Sequence, residues 1–320
     1  MKFKDLNQSE IDLITKVYKE SESRFDAQSD LSTHFNVSTR SIRNWVKKLD
    51  VIGDGSLVPQ PKGKILIYDI ETSRLKAWLW WTGQQYVLPA QIDNSEPPRI
   101  ITVSWKWLGE DYVKTLSWDK NHSDRQLIEE FLKEYNKADL IVGVNQDKFD
   151  NRWINARAMQ YGLHVNTLVR SSDIQKEAKR LMRLPSYSLS KLCELFDVTR
   201  KLSNEGNIMW EKIQQGTPEE QVEYMEKMIE YNVGDIISTE EVYMKMRRYM
   251  SHKTHIGVLN GEEKYTCPLC GTSDVQLDKT TVTPAGTVQR IMKCNHDEKR
   301  YKIANKQYME FLNNKIKNKL

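Results

Sequence analysis

Ile65-Leu66-Ile67-Tyr68-Asp69-Ile70-Glu71-Thr72 is an apolar run that ends on two carboxylates two positions apart. Side chains on a strand alternate faces, so Asp69 and Glu71 leave the same face at the end of a buried strand. Two carboxylates held side by side repel, and a cation between them offsets that cost. Hard divalent ions such as Mg²⁺ or Mn²⁺ suit oxygen ligands of this kind. The stretch predicts one edge of a metal-dependent site and directs the search outward for further ligands.

Two more acidic positions stand in suitable contexts. In Ile141-Val142-Gly143-Val144-Asn145-Gln146-Asp147-Lys148-Phe149-Asp150 a buried strand enters a loop, and Asp150 opens an apolar-periodic helix. A helix N-cap alone would also explain an aspartate there. Tyr231-Asn232-Val233-Gly234-Asp235 lies inside a long helical pattern. Tyr231 and Asp235 are four apart and share one helix face. A carboxylate beside Ile236, Ile237, Val242 and Tyr243 is costly unless paired or metal-bound; a surface Tyr–Asp pair is the plainer alternative.

Taken in order, Asp69-x-Glu71, Asn145-x(3)-Phe149-Asp150 and Tyr231-x(3)-Asp235 resemble the three motifs of the DEDD, or DnaQ-like, 3′–5′ exonuclease superfamily over roughly residues 64 to 248. Tyr231 points to the DEDDy branch, which includes the proofreading domains of family A and B DNA polymerases. The His branch would carry histidine where Glu230 stands. The resemblance implies an α/β, RNase H-like mixed sheet flanked by helices. It implies phosphodiester hydrolysis from a 3′ end with two Mg²⁺ or Mn²⁺ ions about 4 Å apart. Asp69, Glu71 and Asp235 would hold the ion that activates water, Asp69 would bridge to the second with Asp150 in support, and Tyr231 would orient the water. Thr72 and Asn145 would touch the terminal nucleotide or local backbone.

The flanks suggest further modules. Within residues 1–52, a short amphipathic helix at 26–35 is followed by the turn Asn36-Val37-Ser38. The helix Thr39 to Leu49 buries Ile42, Trp45, Val46 and Leu49 and shows Arg40, Arg43, Asn44, Lys47 and Lys48. This is the pattern of a helix-turn-helix whose second helix enters a DNA groove, with a protein-docking unit as the alternative. Residues 53–63 read as a Gly/Pro linker, and 64–250 as the nuclease body. In 251–320, Cys267-Pro268-Leu269-Cys270 is a knuckle that lets two thiolates reach one structural Zn²⁺, with Cys294 as a third ligand. The whole resembles a zinc ribbon. His296 is the expected fourth ligand, with His252, His255 or Asp297 as alternatives. Cys193 reads as a core thiol.

Composition bounds the rest. The chain has 320 residues, 39% hydrophobic and 29% charged, with net charge +4. No run is long and apolar enough to span a bilayer, and the first residues lack a signal-peptide core, so a cytoplasmic protein without a membrane partner is expected. The segment after Gln289 is basic and fits a polyanion or a solvated helix. Lys176, Lys179, Arg180 and Arg183 fall at helical spacing and could follow a strand's phosphates; a solvated face is equally compatible. Trp78, Trp80 and Trp81 could stack on bases, although burial within the 74–98 insertion is the more usual fate of clustered aromatics. His122 and His164 carry no expected role.

The expectation is a metal-dependent 3′–5′ exonuclease acting on nucleic acid, with DNA favoured by the helix-turn-helix. A separate polymerase or replication/repair protein is a conceivable partner. The rivals are an RNA exonuclease, a structure-specific endonuclease, and a non-catalytic DNA-binding regulator.

Overall fold

The computed structural model describes residues 6–20, 24–48, 63–95, 97–199 and 206–317. The chain divides into two units, Met1–Val58 and Pro59–Leu320. The expected linker 53–63 lies outside the described residues except for Gly63.

The first unit holds α1 (Gln8–Glu20), α2 (Arg24–Phe35) and α3 (Thr39–Lys48). Ile14, Ala27, Leu31, Phe35, Ile42, Trp45 and Val46 form its core, with Phe35 meeting Trp45 edge-on at 5.5 Å. Asn36 turns the chain with φ 49°, and Ser38 Oγ accepts the Ser41 N–H at 3.2 Å. That bond adds to the one with the Ser38 carbonyl, which the same amide meets at 2.8 Å, at a helix start where amides lack the usual partner four residues back. The side chains of Arg40, Arg43, Asn44, Lys47 and Lys48 lie outside the described residues.

The second unit is built on β1 (Ile65–Thr72), β2 (Ile100–Trp107), β3 (Lys114–Ser117), β4 (Leu140–Gly143) and β5 (Arg170–Asp173). The sheet order is β3-β2-β1-β4-β5. β1, β2 and β3 pair antiparallel, while β4 runs parallel to both β1 and β5. The helices are α4 (Arg125–Tyr135), α5 (Asp150–Tyr161), α6 (Ile174–Leu181), α7 (Leu189–Phe196), α8 (Asn207–Gln215) and α9 (Pro218–Met246). This is the expected α/β, RNase H-like arrangement.

Alternation along β1 sorts its side chains between two cores. Leu66, Tyr68 and Ile70 join Leu127, Ile128 and Phe131 of α4 and Ile154 of α5. Ile65 and Ile67 join Ile174 of α6, Leu189 and Leu192 of α7, and Ile236, Val242 and Tyr243 of α9. Each such fully buried side chain contributes about 2 kcal/mol. The odd-numbered face is therefore the α9 face, and Asp69 and Glu71 continue it.

A buried ion pair braces the other side. Asp124 accepts Arg157 Nε at 2.7 Å and Nη2 at 2.6 Å and also the Ile100 N–H at 2.9 Å. It ties the start of β2 to α5, and the sequence reading had not singled it out.

Beyond α9 come α10 (Ile256–Leu259), the sheet β6-β7-β8 (Val275–Val282, Val288–Cys294, Arg300–Ala304) and α11 (Asn305–Lys317). Ile256 belongs to the same core as β1 and α9. Gly63 N–H donates to Asn260 Oδ1 at 2.8 Å, and Lys299 Nζ donates to the Met250 carbonyl at 2.5 Å. These bonds join residues 251–317 to the sheet as part of one unit.

Candidate active site

Asp69 and Glu71 face Ser104 and Thr102 across the β1–β2 ladder, whose register shifts between Glu71 and Thr72. Asp235 reaches the same place from α9, which can span the sheet because it is long and firmly started. Its N-terminus has Pro218 in the first turn and a reciprocal Thr217–Glu220 capping box. One carboxylate oxygen from each of Asp69, Glu71 and Asp235 lies within 4.8 Å of the others.

Asp150 stands beside this group and is not one of the three that lie within 4.8 Å of one another. It is the first residue of α5, and Phe149, not Asp150, holds the N-cap position. Its Oδ1 accepts the Ile70 N–H, between Asp69 and Glu71, at 3.1 Å. Burial pushes its carboxyl well above the usual range, the Asp69 charge adds to the rise, and Glu71 adds further. The donors are all oxygens, and their mutual repulsion falls when a hard dication sits among them. The residues present therefore fit a divalent metal.

Asn232 is fully buried and escaped the sequence reading. Its Nδ2 donates to Asp69 Oδ2 at 2.7 Å, and its Oδ1 accepts from Thr102 Oγ1 at 3.3 Å. The amide thereby fixes the Asp69 carboxylate from α9. The available signal was a polar amide three before Asp235, on the same helix face. Tyr231 is buried with Ile101, Trp118, Met209, Ile213 and Met228, one turn before Asp235.

The expected substrate contacts fare unevenly. The Thr72 carbonyl accepts Trp210 Nε1 at 3.1 Å. Asn145 adopts φ 63° and donates its N–H to Asp173 Oδ1 at 3.1 Å; asparagine tolerates that left-handed backbone. Of the expected basic row, Lys176, Lys179 and Arg180 lie on α6. The helix stops at Leu181, so Arg183 lies beyond it. Arg180 pairs with buried Glu177 at 2.6 Å, Lys176 stands 3.7 Å from Asp147, and Lys179 donates to Gln175. The Lys176 and Arg180 side chains remain 74% and 50% exposed.

The tryptophans depart from expectation in the opposite direction. Trp78, Trp80 and Trp81 are 74%, 88% and 63% exposed, and Tyr86 is 96% exposed. They sit on an arm that leaves the end of β1, closed by an Ala77–Ile92 bridge and by the Trp78 N–H to Gln91 carbonyl bond at 2.8 Å. The insertion is too thin to bury them. At its base Arg74 lies 5.3 Å over the Trp210 ring and donates to Asn207 Oδ1 at 2.6 Å.

A second ligand cluster lies in the C-terminal segment. Cys267, Cys270 and Cys294 gather with Asp297, ligand atoms again within 4.8 Å. The expected fourth member, His296, instead points Nε2 at Asp274 Oδ2, 3.3 Å away. Cys193 is a buried thiol of the main core, as expected.

Residues 93–247 match the family model RNase_H_2 of the RNase_H superfamily. The matched stretch contains Asp150, Tyr231 and Asp235 and begins after Asp69 and Glu71. No curated protein matches the chain. Among solved structures it is similar to the family B DNA polymerase from the hyperthermophilic archaeon Pyrobaculum calidifontis, at TM-score 0.44 and 16% identity, over 62% of this chain and 26% of that polymerase. The family match and the acidic cluster together support nuclease chemistry on nucleic acid. Among the described residues no helix is long and apolar enough to cross a membrane.

Proposed function

We propose that the chain is a metal-dependent 3′–5′ exonuclease of the DEDDy type acting on DNA. The observation that carries this reading is the convergence of Asp69, Glu71 and Asp235 within 4.8 Å, with Asp150 bonded to the strand between the first two. Divalent ions held by these carboxylates, Mg²⁺ or Mn²⁺, supply positive charge for the phosphate oxygens and lower the pKa of water. Asp69 is oriented by Asn232, clusters with Glu71 and Asp235 and is the strongest charged neighbour of Asp150, so it would serve both ions. Asp150, whose carboxyl is pushed up by burial and by Asp69, would be held in its charged form by a bound dication. Tyr231 orients the attacking water through its hydroxyl, one helical turn from Asp235.

The exposed aromatic arm favours a single-stranded end as substrate. Indole and phenol faces stack on bases irrespective of sequence, and the arm starts directly after Thr72. Action on DNA rests on the N-terminal three-helix unit, whose α3 carries the basic positions of a recognition helix. Truncation to a start near Leu57 should weaken duplex binding and flatten its salt dependence; unchanged affinity and slope would leave the DNA preference without that support.

The deciding experiment is digestion of 5′-labelled single strands with Mg²⁺, Mn²⁺ or chelator. A ladder shortening from the 3′ end and abolished by chelator is expected. Internal cuts would mean an endonuclease, and no products would mean a binding protein.

A further inference from the structure

The C-terminal cluster contains two copies of one local geometry, and the second copy ends on a carboxylate. In the first, the Cys267 N–H donates to the Thr272 carbonyl at 2.9 Å; in the second, the Cys294 N–H donates to the Lys299 carbonyl at 2.9 Å. The spacing is five residues in both. Backbone N–H groups two and three residues on face the first sulfur each time: Leu269 and Cys270 toward Cys267, His296 and Asp297 toward Cys294. The residue after the second position is left-handed in both, Gly271 with φ 76° and Glu298 with φ 55°. Glutamate in that conformation is strained, so the fold requires the turn there.

Superposing the two turns in sequence places Cys267 on Cys294 and Cys270 on Asp297. His296 then falls on Leu269, which points no donor inward. The distances agree with a tetrahedral centre. Ligands at about 2.3 Å from zinc stand about 3.8 Å apart. Cys270 Sγ and Cys294 Sγ are 3.7 Å apart, and Cys267 Sγ and Asp297 Oδ2 are 3.8 Å apart. A disulfide would need about 2.05 Å. The other Asp297 oxygen, Oδ1, accepts from Arg247 Nη2 at 2.9 Å, and both side chains of that pair are buried. A ligating carboxylate whose second oxygen is held in this way is oriented like a metal ligand with an outer partner.

We propose that Cys267, Cys270, Cys294 and Asp297 form a closed four-coordinate site for a borderline-soft dication, zinc, with Asp297 standing where a fourth cysteine would complete the second turn. His296 takes no part. Three thiolates and a carboxylate give the occupied site a net negative charge, which the Arg247 guanidinium offsets from the end of α9.

The test uses the full chain purified under reducing conditions, with zinc analysis and Co²⁺ substitution. The unmodified chain should carry one zinc. His296→Ala should retain it, while Asp297→Ala should weaken affinity by at least about 100-fold, more than loss of an outer partner costs. Asp297→Cys should keep the metal and raise the thiolate-to-Co²⁺ charge-transfer absorption by about one-third, four thiolates replacing three. The last variant decides the matter even if Asp297→Ala folds poorly. Absence of zinc from the unmodified chain, its loss in His296→Ala, or an unchanged charge-transfer band in Asp297→Cys would overturn the assignment.

Discussion

The two ligand clusters in this chain are assembled in opposite ways. The carboxylate set draws Asp69 and Glu71 from a strand, Asp150 from the start of one helix and Asp235 from the middle of another. The cysteine set is two turns of the same shape, each contained within a few residues. One is all oxygen and is placed by tertiary packing. The other is mostly sulfur and is placed by local backbone bonds. Hard ligands around an open face suit ions that exchange water and substrate. Soft ligands in a closed tetrahedron suit an ion that only holds the chain. The comparison predicts that losing the carboxylate site leaves the zinc site intact.

The largest effect should come from Asp69→Ala. Nuclease turnover is expected to fall by at least about 1000-fold, since the substitution removes the carboxylate shared by both sides of the site. Zinc content should stay the same. A variant that also loses zinc would show that the sites are not independent.

Tyr231→Phe should come next. It removes only a hydroxyl, so single-turnover cleavage should slow by about 10- to 1000-fold, with strand affinity nearly constant. Unchanged single-turnover cleavage would remove Tyr231 from the chemistry.

Trp80→Ala should reverse that pattern. Stacking of one base is worth about 1–3 kcal/mol, so single-strand affinity should drop several-fold or more with no change in melting temperature. Equal affinity for the variant and the parent would assign the arm to some other surface role.

The smallest effect should be thermal. In the folded chain Asp150 has a raised pKa, so the native state holds a proton that the unfolded state releases near pH 4. Its contribution to stability is present below that pH and is lost as pH rises through the folded value. Asp150→Asn keeps an oxygen for the Ile70 N–H and removes the charge. Without divalent ions the variant should melt on the order of 2–4 °C higher at neutral pH, and the gain should vanish below about pH 4. A gain that persists in acid would trace to packing instead of charge.

The carboxylate site could be read from sequence because its spacings are those of regular elements. Positions two apart on β1 and four apart on α9 must share faces wherever those elements go. β5 could not be read this way: Arg170-Ser171-Ser172-Asp173 is short, polar and at a sheet edge, with no apolar alternation to announce it. α8 was missed as well, because Asn207–Gln215 has nine residues with Met209 and Ile213 buried, too short a stretch to show a period. Asn232 was invisible for a different reason. Its importance lies in a bond to a residue on another element, and no local period encodes that. The choice of His296 over Asp297 followed ligand preference, whereas the backbone turn decides which side chain points inward. The exposed tryptophans show the limit of composition. Clustered aromatics suggest burial only when the surrounding chain has enough bulk to cover them.

α9 behaves mechanically as a beam clamped at both ends. At one end Glu220 pairs with Lys212 of α8 at 2.5 Å, and Met228 and Tyr231 pack with Met209 and Ile213 of α8. At the other, Arg247 is seated on Asp297. Asp235 lies between, about 18 Å from Arg247 at 1.5 Å per residue. A free-ended rod lying on a sheet can slide or roll by a fraction of a turn, which would carry Asp235 away from Asp69. With both ends fixed, axial play is small at mid-span, where the carboxylate must meet its partners to within a few tenths of an ångström.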